Sequence, residues 1–208
     1  MVLLRPLGNI GLVPPAARYH HGDLPTALVE AAIQLLEENG GEDLSLRAAA
    51  RRAGVSTAAP YRHFPDRTAL LSAVAAVGYN ELGRDLVAAC PEPETVDDLA
   101  TIALAYVQFA LRRSGLFRVM FTEGCDTTSP DRVAAVAAIH EYLHHIVKSV
   151  SPKSDAGPTA VAMWALVHGL AFLHLDGKLD STTDSAVENS VRDAVRAVFT
   201  VGQTRSDS

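Results

Sequence analysis

The sequence predicts an all-α protein: three short helices in a helix-turn-helix layout, followed by a larger helical bundle. Three observations predict it. Apolar residues recur at helical spacing through nearly every segment of the 208-residue chain. No stretch alternates apolar and polar residues as a half-buried strand does, and no internal repeat is visible. Clusters of Gly, Pro, Ser and Asp separate the periodic stretches.

The elements follow in order. Leu24, Leu28, Ala31 and Leu35 recur at helical spacing behind Asp23 as N-cap, with Pro25 in the first turn and Gly40-Gly41 as the stop. A short second helix starts from Ser45; Leu46, Ala49, Ala50 and Ala53 form its apolar face and Gly54 ends it. Ser56 is expected to cap a third helix that begins at Thr57 and stops at Phe64-Pro65, because proline disfavours α backbone at the residue before it. Asp66 is expected to cap a long fourth helix, patterned by Leu70, Val74, Val77 and Leu86 and running to about Ala89. Pro91-Glu92-Pro93 is the clearest break. Further helices are expected at 95–112, 130–150, 157–175 and 184–200. The expected organisation is an arm at 1–17, a helix-turn-helix domain at 18–66, a second domain at 67–202 joined through the helix 67–89, and a tail at 203–208.

Composition narrows the classes. Hydrophobic residues make up 48% of the chain, enough to build a core. Cys90 and Cys125 form no C-x-x-C, which fits a free-thiol cytoplasmic protein. The apolar N-terminus is broken by Gly8, Gly11, Pro14 and Pro15, so it reads as an arm and not as a signal peptide. The most apolar later run, Ala160 to Leu175, is expected to fall short of the roughly 20 residues that span a bilayer. No membrane partner and no cofactor is expected.

The net charge of −6 is unevenly placed. Residues 1–70 hold seven Lys/Arg and seven Asp/Glu, so the whole excess lies beyond them. Within 45–67, five arginines stand against Asp66 alone. A basic patch on an acidic body fits an anion-binding module. The patch coincides with the turn Ala53-Gly54-Val55-Ser56 between two short helices. Thr57, Ala58 and Ala59 then stand at the N-terminal end of the second helix, where base edges are met. Tyr61, Arg62 and His63 line the next turn and suit phosphate contacts that set register.

Ser45, Arg47, Ala50, Ala53, Gly54, Val55, Ser56, Tyr61, His63, Phe64, Arg67 and Leu70 together resemble the DNA-binding end of the TetR/AcrR family of one-component transcriptional regulators. The resemblance covers about a quarter of the chain and implies that Ser45, Arg47, Thr57, Ala58, Tyr61, His63 and Arg67 approach double-stranded operator DNA. Pro60 departs from the family's usual apolar residue and bears on the tilt of the recognition helix. Arg18 and Tyr19 lie in a stretch resembling the basic N-terminal extension that can reach a groove beside that helix. Trp164 to Gly169 resembles a Trp…His-Gly motif of one C-terminal subgroup. Ala165 and Gly169, a turn apart, let another helix approach closely. In the family the last two helices pair two copies into a four-helix bundle, which implies a homodimer here. The implied function is a repressor, not an enzyme, released from its operator by a small molecule.

One motif competes. His140-Glu141-Tyr142-Leu143-His144 matches H-E-x-x-H, a zinc-peptidase signature. A catalytic zinc needs a third ligand, and no Gly-x-x-His follows. Val133, Ala137, His140, His144 and Val147 form one stripe, and Val136, Leu143, Ile146 and Val150 another, so a helix buried on two sides is expected. The histidines then line an organic-ligand pocket or the core. A metal sensor using His140, His144 and His168 on the same fold is the alternative. Phe109, Phe117, Met120, Phe121, Met163 and Trp164 join His140, His144 and His168 as expected ligand-binding residues, since bulky apolar walls with a few polar groups characterise small-molecule sites.

Overall fold

The computed structural model describes residues 24–40, 44–121, 124–152 and 155–203, with side chains to Phe199. They form α1 (Leu24–Asn39), α2 (Leu46–Arg52), a 3-10 turn (Ala59–Arg62), α3 (Arg67–Ala89), α4 (Val96–Arg112), α5 (Ser114–Phe121), α6 (Pro130–Val150), α7 (Ala156–Leu175) and α8 (Asp184–Gln203). The described residues contain no strand. The expected arm at 1–17, the Asp23 cap, and Arg18 and Tyr19 lie outside the described residues.

Local chemistry sets the helix starts. Ser45 Oγ accepts from the Ala48 amide at 3.1 Å and Asp66 Oδ1 from the Ala69 amide at 2.8 Å, each satisfying an amide left over at a helix N-terminus. Thr95 and Asp98 cap α4 reciprocally, with the Thr95 amide 2.9 Å from Asp98 Oδ2 and the Asp98 amide 3.2 Å from Thr95 Oγ1. At the end of α1, Gly40 takes φ 65° and closes the last turn onto the Leu36 carbonyl.

Four expectations are corrected. The stretch after Arg113 forms α5, which periodicity did not separate. It is only eight residues long, about two turns, with Leu116, Phe117, Val119 and Met120 buried and only Ser114 and Arg118 as polar positions, too few to reveal a period. The third helix expected from Thr57 to Phe64 is a single 3-10 turn. Pro60 has no N–H to give the Ser56 carbonyl and Pro65 disfavours α at Phe64, so the space between the prolines admits no more. Helix α6 is buried on one side, not two. Ala135, Ile139, Ile146 and Val147 face inward, while Val133, Ala137, His140 and His144 are exposed, because α6 lies at the edge of the bundle against α3 and α7. Helix α7 starts at Ala156 and runs 20 residues, so by length and composition it is sufficient to cross a membrane.

The core is continuous from α1 to α8. Helix α5 is its wedge. A Cβ added to Gly115 would stand 2.4 Å from the Leu36 carbonyl oxygen, so only glycine lets α5 sit directly on the end of α1. Its far end leans on α3: the Met120 side chain fills the space over Gly78, and Tyr79 Oη donates to the Met120 carbonyl at 3.0 Å. Arg113, between α4 and α5, pairs with Glu37 of α1 at 3.4 Å and Glu81 of α3 at 3.0 Å.

Candidate nucleic-acid interface and effector cavity

The interface is built on α2. Leu46, Ala49 and Ala50 anchor it in the core, which leaves Arg47, Arg51 and Arg52 outside. Gly54, with φ 71°, closes the helix: the Val55 amide bonds the Ala50 carbonyl at 3.0 Å and the Gly54 amide the Arg51 carbonyl at 3.2 Å. The chain then reverses and Ser56 receives the Ala59 amide on its carbonyl, so its backbone, not its side chain, starts the turn. Pro60 is buried and its carbonyl receives the amides of His63 and Phe64, both at 2.9 Å. The proline that shortens the recognition element therefore also plugs it into the domain.

This frame holds Thr57, Ala58, Tyr61, Arg62 and His63 at the surface together with Arg47 and Arg67, while Ala59 is half-buried. Tyr61 is 50% exposed, a large aromatic ring with no place in the core. Two residues are also structural. Ser45 accepts at the start of α2, and its hydroxyl hydrogen is a donor the cap does not use. Arg67 Nε donates to the Leu44 carbonyl at 3.0 Å, which ties the start of α3 to the chain ahead of α2. Arg52, which sequence reasoning did not single out for any role, is bidentate on Glu38 of α1, with Nη1 2.7 Å from Oε1.

The second site lies among α4, α6 and α7. A cleft with about 30 Å³ of open volume is lined by Leu99, Ile102, Leu143, Val147, Met163 and Val167, with Tyr106 and Trp164 supplying its polar atoms. Tyr106 Oη lies 3.0 Å from His168 Nδ1. Burial pushes the Tyr106 phenol up from its ordinary range and holds the His168 imidazole down. The Trp164 N–H lies close enough to the Tyr106 oxygen to offset part of that upward push, yet it makes no hydrogen bond of normal geometry and is shut off from solvent.

Of the expected ligand residues, Met163 and Trp164 line this cleft. His168 packs on Phe121 at 4.5 Å, Phe172 at 4.9 Å and Phe117 at 5.9 Å between ring centroids, and the exposed His140 ring sits 4.9 Å from Trp164. Phe109 and Met120 are fully buried core residues away from the cleft, and His144 is exposed on α6. Tyr106 was missed by sequence reasoning; its place on the inward face of α4 could have flagged it. Among the described residues no three His, Cys, Asp or Glu side chains converge as metal ligands.

Comparison with known proteins follows the same division. Residues 28–74 match the model for bacterial regulatory proteins of the tetR family, and residues 99–198 the model for a tetracyclin repressor-like C-terminal domain. The second match does not bring with it the Trp…His-Gly subgroup. The HTH-type transcriptional regulator BetI of Brucella canis is 26% identical over 156 residues, 72% of this chain and 79% of that one. A solved structure of a protein of unknown function from Rhodococcus sp. RHA1 is 34% identical, covering 88% of this chain and 98% of its own, with a TM-score of 0.73. A tetR-family regulatory protein from Rhodococcus RHA1 superposes with a TM-score of 0.60 at 19% identity, over 83% and 95% of the two chains.

The buried histidines set a pH dependence. Burial lowers the pKa of both His168 and His174 from the ordinary 6.5, so the folded protein holds them neutral while the unfolded chain takes up protons. Stability is therefore full above that value and falls as the pH is lowered below it. Melting temperature measured over that fall in pH should drop, and His168→Gln/His174→Gln should flatten the drop. Equal slopes for wild type and the double variant would contradict the assignment.

Proposed function

Since the chain belongs to the tetR family of bacterial regulatory proteins, DNA-binding transcription regulators and not enzymes, we propose that it is a dimeric repressor released from its operator by a small-molecule ligand. The carrying observation is the surface formed by Thr57, Ala58, Tyr61, Arg62 and His63 on a turn fixed by Gly54 and Pro60. Thr57 and Ala58 are small enough to let the backbone approach the major-groove base edges, and Thr57 can bond a base. Tyr61, Arg62, Arg47 and Arg67 reach phosphates on either side, with Ser45, Ala59 and His63 at the rim. Residues 18–66 form the DNA-binding domain and 67–202 the ligand-binding and dimerisation domain. The place of action is the cytoplasm, as for the family in general.

Helix α7 supports the dimer. Ala160, Met163, Val167, Leu170, Ala171 and His174 face the core, yet the opposite face is also apolar: Ala162, Ala165, Gly169 and Leu173 follow at helical spacing, with Val161 64% exposed. A Cβ on Gly169 would meet nothing within 4 Å. On α8, Ala197 and the 46%-exposed Val198 continue this surface. A second copy covers the same face with matching α7 and α8. A two-fold dimer also presents two recognition turns to the half-sites of a palindrome.

Selection from random DNA by the purified protein should enrich a palindrome with half-sites on one face of the duplex, bound ever more weakly as salt rises. Tyr61→Ala/Arg62→Ala should cost tenfold or more in affinity for it, about 1.4 kcal/mol or above. Unchanged affinity would remove the interface from this turn. Gly169→Arg should convert the dimer to a monomer in light scattering and abolish tight operator binding. A dimer that survives that charge would place the two-fold contact elsewhere.

A further inference from the structure

The cleft among α4, α6 and α7 has an unusual polar inventory. Its lining includes no Asp, Glu, Lys, Arg or His, and its walls are aliphatic apart from Tyr106 and Trp164. A charged ligand would lose its water there and gain no counter-charge. Trp164 Nε1 carries a hydrogen that is donor only, is shut off from solvent, and lies near the Tyr106 oxygen without making a hydrogen bond of normal geometry. An orphaned buried donor is a standing cost that an acceptor relieves. Beside it the Tyr106 hydroxyl is paired with His168 Nδ1; its single hydrogen is open to a ligand acceptor when His168 carries its proton on Nδ1, and otherwise has to leave His168 for the ligand.

We propose that the ligand of this cleft is an uncharged, largely apolar molecule with one hydrogen-bond acceptor, a carbonyl or ether oxygen, received by Trp164 Nε1–H and the Tyr106 hydroxyl. The proposal rests on the ligand-release reading above and specifies its chemistry. Size is set by movement. About 30 Å³ is room for a few atoms, so the apolar body enters by parting α6 from α4 and α7. Helix α6 is suited to yield, since its outer face is exposed, and Tyr142 Oη, bonded to the Leu86 carbonyl of α3 at 3.2 Å, keeps it tied to α3 as it parts from α4 and α7. A ligand oxygen that takes the Tyr106 hydroxyl competes with His168, whose ring is packed on Phe117 and Phe121 of α5. The same bond that selects the ligand is thereby connected to the wedge that seats on α1.

The test is a matched set of eight-carbon probes: a methyl ketone, the corresponding alkyl carboxylate and the corresponding alkyl amine. Binding to the full-length protein is read by thermal shift and by the fluorescence of Trp164, the only tryptophan in the chain. Operator affinity is scored separately. The ketone should bind at least tenfold more tightly than either charged probe, and Trp164→Phe, which keeps a ring and removes the donor, should erase that advantage in the thermal-shift readout. Tyr106→Phe, a smaller change in a site that stays filled, should reduce ketone affinity severalfold. A carboxylate or amine that binds more tightly than the ketone overturns the proposal, as does ketone binding unaffected by both substitutions or no binding by any probe. Ketone binding with the expected dependence but without operator release supports the ligand chemistry and removes the release reading instead.

Discussion

The close seat of α5 on α1 is the contact on which the arrangement of the two halves depends. At Gly115 the backbone of α5 occupies the space a side chain would need, directly against the Leu36 carbonyl. A main-chain contact of that kind cannot be softened by a rotamer change. It places the N-terminus of α5 on the helix that also braces α2, through the Glu38–Arg52 pair, and so on the frame of the recognition turn. The other end of α5 is held more gently, by the flexible Met120 over Gly78 and by one tyrosine hydrogen bond. Arg113, shared between Glu37 and Glu81, locks the corner where α4 turns into α5. Partly buried and tied to two carboxylates on different helices, it is a positional constraint more than a large source of stability.

From this seat the aromatic packing leads outward. Phe117 is fully buried and touches the rings of Phe109, Tyr106, Phe121, His168 and Phe172. Close-packed interiors pass displacements on instead of absorbing them. Through these rings His168 of α7 is in contact with α5, which in turn packs on α1 and α3. Helix α3 (Arg67–Ala89), the connector expected from the sequence, is one of two routes; the shorter one runs through an eight-residue helix that periodicity did not separate.

Much of this was legible in the residues, for identifiable reasons. Helices α1, α3, α4 and α8 have apolar repeats long enough to carry a period, α7 shows itself as a long apolar run, and Ser45, Asp66 and Gly54 mark helix boundaries by chemistry that acts over three or four residues. The basic stretch around Gly54 needed only charge counting and turn chemistry. The rest failed where tertiary context decides. Pro60 was recognised as a departure, yet its effect, a 3-10 turn where a helix was expected, depends on its pairing with Pro65. The histidine stripe of α6 faces solvent because that helix lies at the edge of the bundle, a fact no periodicity carries. The H-E-x-x-H residues lie on that same face: the exposed His140 packs against Trp164, and among the described residues no group of three possible metal ligands includes His144. Tyr106 and its bond to His168 join positions 62 residues apart.

The central claim is that α5 couples the ligand end of the molecule to its DNA-reading end. The most direct measurement is the operator affinity of Gly115→Ala, taken well below the melting temperature with dimer size checked alongside. One methyl group there must push α5 away from the Leu36 carbonyl, and Gly115 is buried, so the added methyl does not itself touch DNA. The account predicts a folded dimer whose operator affinity is changed tenfold or more. A folded dimer with wild-type operator affinity would contradict it and leave α5 a packing element only.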